Sequence, residues 1–209
     1  MRFSREKEPT FDSVAYWRRR YAGGGNSGSG SYGKLAEFKA ESFNRFVKEH
    51  EVSSCIEYGC GDGNQLSLMK VDKYLGLDVS PETISAISAK FNQDSGKRFE
   101  VYNPNSFKVS NQYRADLSLS MDVILHLIEE DRYLDYMQNL FDSGARFVGV
   151  FNTATDQQPL KMAIHNRFRD HRNWIVEHVK GFQLIETDLT PDELGYPEAT
   201  GFYFYKNMF

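Results

Sequence analysis

The sequence predicts an α/β protein: a mainly parallel sheet with helices on both faces, closed by an antiparallel pair of strands. Three observations predict it. Short apolar runs at 52–58, 74–77 and 115–121 alternate with stretches of helical periodicity. A glycine-rich turn, Gly59-Cys60-Gly61-Asp62-Gly63, follows the first run and opens a connection to the second. Two further runs, 182–187 and 202–205, have only a loop between them, as antiparallel neighbours require.

Each element has a local reason. Residues 11–21 space their aromatics as a helix does, and the Gly/Ser stretch 23–31 then breaks regular structure. A second helix runs from about Tyr32 to His50, with Ala36, Ala40, Phe43 and Val47 on one face and charges on the other. The run 52–58 is the first strand, and the amides opening a following helix are expected to face a bound group. The second strand ends in Asp78, which sets a carboxylate where a ribose can offer two hydroxyls. Ser80 then caps a helix with Pro81 in its first turn and Ile84, Ile87 and Phe91 as its apolar stripe. A short strand at 99–102 leads into Asn103-Pro104-Asn105. In 115–121, Leu117, Leu119 and Met121 alternate with Asp116, Ser118 and Ser120, so a strand tip falls at Met121-Asp122. A helix at 129–141 starts with acids, a strand follows at 145–151, and 160–179 is mixed helix and loop rich in arginine and histidine.

With 209 residues, 40% of them hydrophobic, the chain suits one domain with a single buried core. A net charge of -4 gives no global pull toward nucleic acid or an anionic membrane. No apolar run approaches a membrane span, and the polar start at 1–7 lacks the apolar core of a signal peptide, so a soluble, cytoplasmic protein is expected. Cys55 and Cys60 have no CxxC spacing and are expected to be reduced thiols; no clustered ligand set asks for a metal.

The acidic-x-Gly-x-Gly-x-Gly pattern of Glu57 to Gly63, the strand end at Asp78, and Ser120-Met121-Asp122-Val123-Ile124-Leu125-His126-Leu127 resemble, in order and spacing, the class I S-adenosylmethionine-dependent methyltransferases. The likeness is good over about 50–155. Tyr16-Trp17-Arg18-Arg19-Arg20-Tyr21 resembles the helix that many small-molecule members fold over the cofactor. The Gly/Ser loop through Gly33-Lys34-Leu35 resembles methyltransferases found beside glycosyltransferases in surface-polysaccharide pathways. The resemblance implies a Rossmann-like seven-stranded, mainly parallel sheet with an antiparallel C-terminal strand. Residues 1–50 would be a helical cap and loop, and 51–209 the core of the same domain.

Carried over residue by residue, the resemblance implies a site for S-adenosylmethionine. Gly59, Gly61 and Gly63 would lie against its methionine part, with Cys60 and Asn64 in the same turn and Glu57 at the ammonium. Asp78 would take the ribose hydroxyls with Val79 beside it, Asn105 and Ser106 would contact the adenine, and Trp17 and Tyr21 would cover the cofactor. Ser120, Met121 and Asp122 would sit beneath the sulfonium. His126, just past the fourth strand, is the first candidate base for a hydroxyl acceptor and His165 the second, with Asp122 also catalytic. The implied acceptor is a small molecule, most concretely a sugar hydroxyl of a glycan such as a deoxyhexose like rhamnose. Asn152, Thr153 and Arg167 would suit a polyol.

Other readings stand beside these. His126 between two leucines fits a core histidine, His165 among arginines fits a solvated face, and Trp17 and Tyr21 fit plain core packing. The 28–34 segment has P-loop spacing, but Leu35 replaces the Mg2+-binding hydroxyl and no apolar strand precedes it. A nicotinamide-dependent oxidoreductase would share Asp78, yet its third glycine would fall at Asn64. A nucleic-acid methyltransferase would need Asp/Asn-Pro-Pro-aromatic where Ser120-Met121-Asp122-Val123 stands. A non-catalytic cofactor-binding protein would keep the same turn.

Overall fold

The computed structural model describes residues 11–209; the polar start at 1–7 lies outside the described residues. Asp12 opens α1, Ser13–Ala22, by accepting a hydrogen bond from the Ala15 amide at 3.0 Å. The inward face of α2, Gly33–Glu49, carries Ala36, Ala40, Phe43 and Phe46, and also Lys39. The strands are β1 Ser54–Tyr58, β2 Lys73–Asp78, β3 Lys97–Val101, β4 Ala115–Met121, β5 Gly144–Thr153, β6 Phe182–Leu189 and β7 Thr200–Asn207. Between them lie α3 Pro81–Lys90, α4 Glu130–Ser143 and α5 His171–His178. The α3 start is as expected, with Ser80 Oγ accepting from the Thr83 amide at 3.2 Å.

One seven-stranded sheet has the order β3-β2-β1-β4-β5-β7-β6. The pairs among β1 to β5 are parallel, and β7 runs antiparallel between β5 and β6. Strand alternation divides the core in two. Leu117, Leu119, Phe151, Phe202 and Phe204 face α2 and α3, where Phe46 stacks on Phe204 at 3.9 Å. Ile56, Tyr58, Val148, Val150, Tyr203 and Tyr205 face α4 and α5. The chain order reverses between β1 and β4, so their carboxyl ends open a crevice.

The structure corrects one local expectation. No α-helix follows the glycine turn; 59–72 holds only a single 3₁₀ turn, Leu66–Leu68. Leu66, Met69 and Val71 are all buried against the core at a spacing no α-helix can present to one face, so tertiary burial decides the path. The amides that meet the crevice therefore belong to the turn itself and not to a helix N-terminus.

Candidate active site

The site begins where β1 meets β2. The Gly59 and Cys60 amides donate to the Leu77 carbonyl at 2.7 and 3.0 Å, which folds the turn back over the end of β2. Gly59 and Gly61 have φ of 83° and 55°, a region open to glycine at little strain. There is also no room for a side chain. A Cβ on Gly59 would stand 2.5 Å from Val123 Cγ2, and one on Gly61 would stand 2.2 Å from Ser27 Oγ.

Asp62 ties the turn to the Gly/Ser loop. Its Oδ2 accepts from the Ser27 amide at 2.8 Å and the Tyr32 hydroxyl at 2.9 Å, and its own amide donates to Ser27 Oγ at 2.9 Å. Burial alone would raise this carboxyl, but the bonds from Ser27, Asn64 and Tyr32 hold it below the usual range. The loop is thereby latched over the crevice, and Tyr21 joins it through a 3.0 Å contact with Ser27 Oγ.

Two buried carboxylates face the turn from below. Asp78 accepts from the Gly61 amide at 3.1 Å and from the Ser80 amide at 2.9 Å, and burial pushes its carboxyl up to about 6 despite those bonds. Each oxygen keeps a lone pair for a ligand hydroxyl. Glu57 is pushed up to about 7 by burial, against the pull of the Tyr74 hydroxyl bonded to its Oε2 and of the Lys39 charge. Lys39 itself is buried, with Nζ 2.8 Å from Asp122 Oδ2.

The far wall is the end of β4. Asp122 adopts φ 56°, its amide donates to the Phe151 carbonyl at 3.0 Å, and the chain turns there into Ile124–His126. The His126 ring is half-buried, edge-on to Trp17 at 4.8 Å, with Nδ1 3.1 Å from the His165 carbonyl oxygen. Because a carbonyl only accepts, Nδ1 carries the proton and Nε2 the lone pair in the neutral ring. Burial also holds the imidazole below its ordinary pKa, with the carbonyl opposing. Across the top lies α1, fixed by Arg18 Nε donating to the Val79 carbonyl at 2.8 Å and by the Ser13 amide donating to Glu129 Oε1 at 2.9 Å.

Most of the residues expected at the site share this crevice. Glu57, Gly59, Cys60 and Gly61 line it from the turn, Asp78 and Val79 from β2, Met121, Asp122 and His126 from β4, and Trp17 and Tyr21 from α1. The others are elsewhere. A Cβ on Gly63 would stand 2.6 Å from Ile87 Cδ1, so this glycine serves packing against α3. Asn64 is half-buried and engaged by the loop above, donating to the Ser31 carbonyl at 2.7 Å. Asn105 and Ser106 are exposed, because Asn103 closes a tight turn onto the Asn105 amide and Phe107 packs back on Tyr102; Tyr102 and Pro104 line the crevice from that loop instead. Ser120 points to the opposite face of the sheet, where its Oγ accepts from Tyr136 at 2.7 Å. His165 stands behind His126, stacked on Tyr16 at 4.6 Å.

The expected polyol contacts are not assembled. Asn152 and Thr153 are buried, Asn152 donating to the Thr153 carbonyl and Thr153 contacting Thr200 Oγ1 at 2.8 Å. Arg167 pairs on the surface with Glu130 at 3.1 Å. Sequence reasoning also missed Lys39, Gln65, Tyr102 and Arg132, all of which line the crevice. Only Lys39 left a trace, as a charge three residues after Ala36 on the apolar face of its helix.

A reversed strand order with a carboxylate at the β2 tip and a glycine cradle beside it defines an α/β fold of the nucleotide-cofactor-binding class. Within that class the chain belongs to the family described as a methyltransferase domain, whose sequence model matches residues 32–186. No curated protein matches the sequence. Among solved structures it is similar to magnesium protoporphyrin IX methyltransferase from Synechocystis PCC 6803 with bound S-adenosylmethionine, at 14% identity and a TM-score of 0.66, over 96% of this chain and 100% of that one. It is similar to the N-methyltransferase NodS from Bradyrhizobium japonicum in complex with S-adenosyl-L-homocysteine, at 14% identity and 0.64, over 94% and 99%. It also resembles a small RNA methyltransferase, HEN1, at 16% identity and 0.62, over 85% of this chain but only 26% of that one. At these identities the likeness is one of fold. Among the described residues, no helix is long and apolar enough to cross a membrane.

Proposed function

We propose that the chain moves the methyl group of S-adenosylmethionine to a hydroxyl of a small polar acceptor, a glycan sugar such as a deoxyhexose in the first instance. The observation that carries an O-methyl transfer is the tautomer of His126: with Nδ1 donating to the His165 carbonyl at 3.1 Å, Nε2 carries the lone pair of the neutral ring, and the ring lines the crevice. When bound, the cofactor supplies an activated methyl on a cationic sulfur, which leaves as a neutral thioether. The residues present fit such a molecule: Asp78 has lone pairs for the ribose, and Gly59, Cys60 and Gly61 line the crevice beside it.

His126 would take the proton of a bound acceptor hydroxyl on Nε2. A ring held neutral by burial is ready for that step at pH 7. His165 holds His126 through its carbonyl, and Asp122 holds Lys39 at the same wall. Trp17 and Tyr21 keep water from the crevice while α1 is in place.

A small acceptor is favoured over nucleic acid because Arg167 and Arg169, which follow the fifth strand, are both engaged by Glu130 at 3.1 and 3.2 Å and Arg132 at the crevice is paired with Glu129 at 3.1 Å. The sugar assignment rests on the likeness of the Gly/Ser loop to glycan-cluster methyltransferases. A cytoplasmic location agrees with the free, buried thiols of Cys55 and Cys60. The test is product mass spectrometry with methyl-deuterated cofactor over a panel of sugars, phenols, amines and short RNAs. Label on a sugar hydroxyl is expected; label on RNA or an amine alone would refute this proposal.

A further inference from the structure

We infer that Lys39 and Gln65 form a two-sided clamp for the amino-acid tail of the cofactor, Lys39 taking its carboxylate and Gln65 its ammonium. This inference rests on the S-adenosylmethionine reading above. Lys39 is 1% exposed on the inward face of α2. Its ammonium has three donors, yet its hydrogen-bonding partner within the described residues is Asp122 Oδ2 at 2.8 Å, with the Phe151 ring 5.2 Å away. Asp122 balances the charge but takes one of the three N–H donors, which leaves donors to spare on a buried group that lines the crevice.

Gln65 offers the complement. Its Nε2 donates to the Ala36 carbonyl at 3.0 Å, which fixes the orientation of the amide and leaves Oε1 as acceptor. That Oε1 is buried and has no partner, and Gln65 lines the same crevice. Because Ala36 lies three residues before Lys39 on α2, one helix face sets both groups. Glu57, the residue first expected at the ammonium, is less free: its Oε2 already accepts from Tyr74. A group with one full negative charge and several N–H donors meets both requirements, and an α-amino carboxylate is such a group.

Calorimetry on the full chain tests this with three ligands: S-adenosyl-L-homocysteine, its decarboxylated analogue S-adenosyl-3-thiopropylamine, and 5′-methylthioadenosine, which lacks the tail. Wild type is expected to bind the decarboxylated analogue at least about tenfold more weakly than the homocysteine, an arm that needs no variant. Lys39→Met should weaken S-adenosyl-L-homocysteine roughly 30-fold and methylthioadenosine less than about threefold, while Lys39→Arg restores most of the loss. Gln65→Leu should weaken the homocysteine and the amine analogue together and spare methylthioadenosine. Equal losses for all three ligands would mean a structural role and overturn the clamp, as would an unchanged preference for the carboxylate in Lys39→Met. No binding of any of the three by wild type would instead remove the cofactor reading on which the clamp depends.

Discussion

Replacing Gly61 by alanine puts the turn and the loop above it under one test. At φ 55°, an alanine is expected to cost about 1 kcal/mol of backbone strain. Its Cβ would also lie 2.2 Å from Ser27 Oγ and 3.0 Å from the Tyr21 hydroxyl, so Ser27 must move. Moving it breaks the 2.9 Å bond from the Asp62 amide and the 3.0 Å contact with Tyr21, at roughly 1 kcal/mol each. The sum is about 3 kcal/mol, or on the order of 10 °C in Tm for a chain of this size. Thermal unfolding followed by circular dichroism gives the answer. Ser27→Gly removes the same two bonds without the clash, so the double variant Gly61→Ala/Ser27→Gly should be only about 1 kcal/mol worse than Ser27→Gly alone, a strongly sub-additive pair. Additive losses, or a Tm for Gly61→Ala within about 2 °C of wild type, would refute the packing of the loop on the turn.

Other outcomes follow from the same geometry. Asp78 and Glu57 hold their protons more tightly when folded, near 6 and 7, than carboxyls do when unfolded, near 4. Stability from this source is therefore complete below about pH 4 and is lost as the pH rises through 6 to 7, by roughly 3 kcal/mol for each carboxyl. Melting curves from pH 5 to 8 should show the decline, and Asp78→Asn should flatten it; an unaltered slope in that variant would contradict the assignment. Asp62→Ala removes the bonds from Ser27 and Tyr32, so limited proteolysis should cut the 23–31 loop faster while the core persists; wild-type cutting rates would argue against the latch. Because burial lowers the His126 pKa, the acid limb of kcat should fall below pH 6.5, and an acid limb centred above 7 would assign the base elsewhere.

Local signals made the strands and helix starts legible. Ser80-Pro81 capped its helix as read, and the alternation of 115–121 matched β4 residue for residue. Asp78 and the turn could be joined because both lie within a short stretch of chain. The antiparallel closing pair could be read from the two runs joined by a loop, but the placement of β7 between β5 and β6 is a pairing chosen by tertiary contact. The helix expected after the glycine turn is absent because the turn pattern alone suggested it, while the burial of Leu66, Met69 and Val71 at a non-helical spacing sets the path. Asn105 and Ser106 stand exposed, outside the crevice lining, where an Asx turn at Asn103 closes on the Asn105 amide, a local bond that the strand pattern does not reveal. Lys39 was passed over as a solvated charge; only the approach of Asp122, 83 residues away, explains its burial.

The most direct measurement is single-turnover transfer of labelled methyl from S-adenosylmethionine to the best sugar acceptor, in wild type and in His126→Ala, with cofactor affinity recorded for both. The expected result is a labelled methyl ether from wild type, and in the variant a rate lower by about 10²- to 10⁴-fold at unchanged affinity. Transfer at the wild-type rate by His126→Ala would contradict the assignment of His126 as the base.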